Sequence, residues 1–232
     1  MPIYTRVALR HQFAFATTIA VCALEAAVCP KTAHADPLDK KGTIIIGLDR
    51  IVPVIAITRD RVGPNSTTTA SYGTAPGSGT PYNVPRLGLD VVAFGHISFG
   101  AASALRIDTG TPSNIPGADP LTTLFSFTPR VGYVAQVAKE IAFWPRAGVT
   151  LSEAFTRADT NGMRTADLRF DSAADLELSM VATPLPVLGV TMTLGAELPL
   201  LGKTDHTSPS GTVSESVARW HFVVDAGFVA HF

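Results

Sequence analysis

Ala218-Arg219-Trp220-His221-Phe222-Val223-Val224-Asp225-Ala226-Gly227-Phe228-Val229-Ala230-His231-Phe232 is the stretch on which the fold turns. Every second residue is apolar: Ala218, Trp220, Phe222, Val224, Ala226, Phe228, Ala230 and Phe232. Between them fall Arg219, His221, Val223, Asp225, Gly227, Val229 and His231. A period of two places these sets on opposite faces of a β-strand. One face wants an apolar surrounding, and the other carries charge and glycine.

The same pattern recurs upstream. Leu168, Phe170, Leu176, Leu178 and Met180 oppose Arg169, Asp171, Asp175, Glu177 and Ser179, and Phe125, Phe127, Val131, Tyr133, Ala135 and Val137 oppose Ser126, Thr128, Arg130, Gly132 and Gln136. Eight such segments are predicted, at approximately 42–57, 86–94, 97–107, 124–137, 141–156, 167–181, 188–200 and 217–232. Long connections (58–85, 108–123, 201–216) alternate with short ones (95–96, 138–140, 182–187), and 157–166 is intermediate. Long loops therefore gather at one end and short turns at the other. In the first segment the apolar residues change parity, from Ile44, Ile46 and Leu48 to Ile51, Pro53, Ile55 and Ile57, which predicts a bulge or strand end near Arg50.

Alternation alone does not say which face meets water, because a soluble barrel with an apolar interior alternates too. The polar face decides. It carries Gly47, Gly88, Gly100, Gly132, Gly148, Gly195 and Gly227, and glycine weakens a strand unless the site is crowded. A water-facing surface is not crowded, whereas the interior of an eight-stranded barrel is just wide enough for its side chains to fill. The same face holds Arg106, Arg130, Arg146, Arg169 and Arg219 with Asp49, Asp90, Asp171, Asp175, Glu177, Glu197 and Asp225, and no lysine. Planar Arg forks suit buried carboxylate networks. These twelve residues are the predicted lumen charge network.

On the apolar face, Phe125, Phe127, Phe155, Phe170, Trp220 and Phe222 lie toward the long loops, and Phe99, Phe143, Phe228 and Phe232 toward the short turns. Two aromatic girdles around an aliphatic band are the pattern of a barrel in lipid; the alternative is that aromatics simply favour strands. Charged residues are only 16% of the chain and mean hydropathy is +0.26, yet no apolar run in the body reaches the roughly 20 residues of a spanning helix. A helical membrane protein is excluded, and a spanning β-barrel is not.

Residues 1–35 read as a cleaved export signal. Arg6 and Arg10 precede the apolar run Phe13–Leu24, and Ala33-His34-Ala35 has the form of a cleavage site. Residues 36–41 are then a short periplasmic tail and 42–232 the barrel. The leader holds three of the 18 basic residues and one of the 19 acidic ones, so the remainder carries a net −3, and a nucleic-acid partner is not expected. Both cysteines, Cys22 and Cys29, fall in the leader, which removes disulfides and thiolate metal sites from the mature chain. Lipid attachment at Cys22 is disfavoured because Val21 precedes it.

Catalytic and metal chemistry were sought in the remaining polar residues. His221 and Asp225 share one face of one strand and could form a triad with a serine, but no G-x-S-x-G elbow occurs, and a hydrogen-bond network is the competing reading. His96, His206, His221 and His231 lack metal-ligand spacing. Asp171, Asp175 and Glu177 could bind a cation, but alternation places them among arginines, which favours ion pairing. The stretch 73–79 reads as flexible surface loop rather than a phosphate loop.

Eight alternating segments, long loops at one end, an export leader, and the stretch Val224–Phe232 together resemble the small outer-membrane β-barrels of the OmpA/OmpX type. The likeness extends over the whole chain after the leader. It implies an all-β, eight-stranded, antiparallel, up-and-down transmembrane barrel in the outer membrane. It further implies that Phe228 and Phe232 belong to a signal read by the outer-membrane assembly machinery. Expected partners are outer-membrane lipid and lipopolysaccharide, that machinery, and an unknown extracellular ligand; the barrel is expected to be a monomer without cofactor. Nothing follows Phe232, so the peptidoglycan-gripping domain of larger relatives is not expected. A structural or surface-interaction role is favoured over two alternatives, a narrow channel and an outer-leaflet lipid-modifying enzyme. Two departures stand out: Pro53, Pro129, Pro145 and Pro199 sit in or beside strands, and Val92, Phe94 and Trp144 fall on the nominal lumen face.

Overall fold

A computed structural model describes residues 38–72, 84–109, 121–160 and 163–232; the predicted leader and the 73–79 loop lie outside them. The strands are β1 (Ile44–Val62), β2 (Asn65–Tyr72), β3 (Arg86–Phe94), β4 (Ile97–Thr109), β5 (Leu121–Tyr133), β6 (Ala135–Ala138), β7 (Ile141–Thr160), β8 (Met163–Ala182), β9 (Leu188–Ser208) and β10 (Gly211–His231). Eight of them close an antiparallel ring in the order β1, β3, β4, β5, β7, β8, β9, β10 and back to β1. β6 continues the line of β5 beyond Val134 and pairs with β7, and β2 adds a hairpin to the upper half of β1.

Pairing partners traced round the ring run Ile44, Val91, Phe99, Val131, Ala147, Leu176, Ala196, Phe222 and end on Ile57. The path returns to β1 displaced along it, and this stagger tilts the strands of a closed barrel. Ile44 and Ile57 have opposite parity yet both face outward. β1 reconciles them with two irregularities, between Leu48 and Val52 and between Pro53 and Ile55. Arg50 adopts a positive φ of 61°, so Asp49 and Arg50 both turn inward, which places a bulge at the expected position. The outward residues after it are Val52 and Val54, and the switch to odd parity comes at Ile55, later than the sequence pattern suggested.

Every proline in question coincides with a fault in a ladder, as its missing N–H requires. Pro53 adjoins the second β1 irregularity, the β5–β7 pairing breaks between Phe127 and Arg130 around Pro129, and Pro199 lies at the β8–β9 register shift. The β5–β7 pairing ends at Arg146, leaving Pro145 paired to β8 alone through Leu178.

The apolar face lies outside. Phe99, Phe125, Phe127, Phe143, Phe170, Phe222, Phe228 and Phe232 are exposed, and Phe155 and Trp220 half-buried. On β7 the outward residues Ile141, Phe143, Pro145, Ala147, Val149 and Leu151 are all apolar and the next, Glu153, is not. At about 3.4 Å per residue and a tilt of about 40°, that run spans about 26 Å, the height of a barrel's lipid-facing band. Arg59 on β1 and Lys203 on β9 interrupt the apolar face on their strands in the same way.

Above this charged collar the structure departs from the expected loops. Region 201–216 is a continuation of β9 and β10, paired up to Ser208 and Gly211, and 157–166 is paired up to Thr160 and Met163. Arg157, Lys203 and His206 are therefore strand residues rather than loop residues. The short end is as expected: Gly95 and His96, with φ of 55° and 72°, form the two-residue turn with two positive φ values that matches strand twist.

Candidate functional site

The inward residues fill the barrel in three layers. At the turn end Leu38, Ile45, Val92, Val134, Ala142, Trp144, Val181 and Val229 form a buried apolar floor. From the predicted tail at 36–41, Leu38 enters this floor, and the chain after it is anchored by bonds from Gly42 N to Val92 O (2.7 Å) and Thr43 N to Lys40 O (3.1 Å). Val92 and Trp144 thus occupy the lumen, whereas Phe94 is exposed beyond the β3 register shift and stacks edge-on against Phe99. Trp144 is the lid of the floor: its Nε1 donates to Ser98 Oγ at 2.9 Å, and the guanidiniums of Arg146 and Arg130 lie 4.5 and 5.9 Å from its ring.

The middle layer is ionic. Arg130 grips Asp90 with two bonds (3.1 and 2.6 Å) and reaches Asp49 at 2.9 Å. Arg146 approaches Glu177 at 2.8 Å and Asp49 at 3.5 Å and donates to Ser179 at 3.1 Å. Arg86 bonds Asp175 at 2.9 Å and also Glu177, and Arg50 bonds Glu197 at 2.5 Å. The Arg50 backbone N–H donates to Asp225 at 3.3 Å. All ten charged groups are buried. Such a layer is held by mutual compensation, since each charge pays a desolvation cost of several kcal/mol that its partners must return.

The upper layer is shallower. Arg219 forks onto Asp60, and Arg169 joins Asp171 at 2.7 Å. Thr58 Oγ1 and His221 Nδ1 are 2.8 Å apart. Arg106, predicted for the lumen network, pairs with Asp108 at 2.6 Å on half-exposed ground near the rim. Asp171, Asp175 and Glu177 are engaged by arginines, and among the described residues no His/Cys/Asp/Glu group is arranged to hold a metal. His221 and Asp225 sit four residues apart on an extended strand, about 13 Å between Cα atoms, and their bonds run to Thr58 and Arg50 respectively.

The sequence reading missed Arg50, Arg86 and Asp60. Arg86 has the parity of Gly88 and Asp90 but opens its strand. Arg50 is turned inward only by the bulge, and Asp60 belongs to a part of β1 that read as loop. Outside the bilayer, His206 pairs with Asp167 at 2.7 Å, and the Asp205 carboxyl is held below its usual range by a hydrogen bond from Ser214 and by Lys203.

A closed eight-strand ring with an apolar exterior, a charged collar and an ionic interior has the fold of the small outer-membrane β-barrels. No family model matches the chain, and no curated protein matches it. Among solved structures it is similar to Ail, the attachment invasion locus protein of Yersinia pestis, at 10% identity and TM-score 0.43, covering 83% of this chain and 100% of that one. It is similar to Neisserial surface protein A at 12% identity and TM-score 0.44, covering 83% of this chain and 100% of that one. The outer membrane protease OmpT from Escherichia coli aligns at 9% identity and TM-score 0.44, covering 82% and 97%. Ring closure and the distribution of apolar surface, rather than these likenesses, define the class.

Proposed function

We propose that the protein is a surface-interaction barrel of the outer membrane: a closed pedestal that presents β-hairpins to the exterior. The observation that carries this reading is the filled lumen. Among the described residues, an apolar floor and a buried ionic layer lie in series along the barrel axis and oppose bulk solute flow, and no nucleophile, base and orienting group converge there. The β1–β2, β7–β8 and β9–β10 hairpins rise as paired ladders above Arg59, Glu153 and Lys203, which makes them stiff platforms for recognition. The turn end with the tail then faces the periplasm.

Two measurements test it together. The purified barrel in planar bilayers should show no stable conductance; a large, steady one overturns the closed pedestal and favours the channel. Ser210→Cys, at the β9–β10 tip, should react with a membrane-impermeant maleimide on intact cells. Wild type, whose two cysteines, Cys22 and Cys29, lie in the predicted leader, should not. Labelling that requires cell lysis would place the hairpins on the wrong side.

A further inference from the structure

At the turn end, beside the apolar floor, the tail, the β8–β9 connection and the end of β10 border a half-open cavity of about 390 Å³. It is lined by Lys40, Lys41, Thr43, Val187, His231 and Phe232, among others, and none of the lining side chains is acidic. Its walls are fixed by backbone bonds: His231 N donates to Val187 O at 3.0 Å, and Ile44 and Phe232 exchange a reciprocal pair at 3.0 Å. The volume falls within the range of small-ligand sites.

The lining is divided. Phe232, which continues the outward apolar set of β10, is 68% exposed, and Val187, in the β8–β9 connection, is 41% exposed. Lys40 and Lys41 are exposed on the tail, and the His231 imidazole is buried at 3% exposure behind them. Among the described residues, no lysine lies in the lumen or on the lipid-facing band, yet two lysines line this one cavity. A cavity that is apolar toward hydrocarbon and cationic toward water suits one class of ligand, a phosphate ester carrying acyl chains.

We infer that this cavity seats the phosphodiester of an inner-leaflet glycerophospholipid, with Lys40 and Lys41 facing the phosphate, the Thr43 hydroxyl available as a donor, and an acyl chain along Phe232 and Val187. The inference rests on the barrel lying in a bilayer with its turn end periplasmic, and not on the surface role of the hairpins. Free phosphate shares the headgroup chemistry but lacks the chain.

Native mass spectrometry of the full barrel released from detergent, with dioleoyl phosphatidylglycerol added, should show one tightly retained lipid. A lysine at a membrane surface contributes about fivefold to such binding, so Lys40→Ala/Lys41→Ala should weaken retention roughly thirtyfold. Lys139→Ala, at the same end outside the cavity, should not. Dioleoylglycerol should be retained far less, and millimolar inorganic phosphate should not displace the lipid. Equal retention of dioleoylglycerol, equal loss in Lys139→Ala, or unchanged retention in the folded double variant overturns the site, and displacement by phosphate alone overturns the lipid as its occupant. Thermal melting of the double variant reports folding separately; hairpin labelling only after lysis would overturn the assignment to the inner leaflet, whereas the retention results alone decide whether the cavity holds a lipid.

Discussion

Arg130→Met removes the guanidinium that ties three strands together, and its consequence can be worked from the contacts. Methionine keeps an unbranched side chain of similar reach but leaves Asp90 without the two-bond fork at 3.1 and 2.6 Å. Asp49 loses its 2.9 Å contact and keeps Arg146 at 3.5 Å. Asp90 is 1% exposed, so water cannot replace the fork. Breaking one side of a buried pair costs about 3–5 kcal/mol. For a chain of this size that corresponds to a fall in melting temperature of roughly 6–20 °C. Trp144 lies 5.9 Å from the Arg130 guanidinium, so its fluorescence in detergent reports the transition directly. Arg61→Met, at an exposed position of β1, should change stability by less than about 0.5 kcal/mol. Adding Asp90→Asn to Arg130→Met should recover part of the loss, because the stranded charge is gone even though the fork is not restored. Equal melting of Arg130→Met and wild type, or a double variant no better than the single, would refute mutual compensation as what holds the lumen.

Two further outcomes follow from the same geometry. Leu178→Arg, on the lipid-facing wall opposite Pro145, should destabilise the barrel in vesicles by about 2–4 kcal/mol, whereas Leu201→Arg, close to the Lys203 collar, should cost about 0–1 kcal/mol; urea titration should show that order, and the reverse order would place the bilayer elsewhere. Gly132→Val should cost about 1–3 kcal/mol by overpacking, because a Cβ there would stand 2.6 Å from Trp144 Nε1 and 2.7 Å from Ser98 Oγ; circular dichroism melting that shows no change would mean the lumen is roomier than described.

The alternation of Ala218–Phe232 revealed its strand, both its faces and the solvent each requires, because a lipid-facing wall allows almost no exceptions. Above the collar that constraint ends. Apart from Val213, Thr204–Ser208 and Thr212–Ser216 are polar on both faces, so a ladder there looks in sequence like a loop, and β9 and β10 run on unannounced. Ser179 shows the same limit inside. Alternation places it on the polar face, but it cannot show that the side chain is fully buried between Arg146 and Thr193, a crowding that no single strand can disclose. Arg50 is turned inward only by the bulge, so parity could not place it, whereas Arg86 shares the parity of Gly88 and Asp90 within the predicted 86–94 segment and was legible but overlooked.

The β1–β10 seam has a kinetic meaning. It joins the first and last strands of the ring, with Ile45 opposite His231 and Val62 opposite Val217, so its contacts span the greatest sequence separation in the molecule and are the slowest to find one another. It also carries both β1 irregularities, each of which interrupts the ladder. The last joint to form is thus the one whose ladder carries two register shifts, and its amides should exchange with solvent deuterium ahead of those in the uninterrupted β7–β8 ladder. A barrel built this way opens, when it opens, as a sheet unrolled from one known edge.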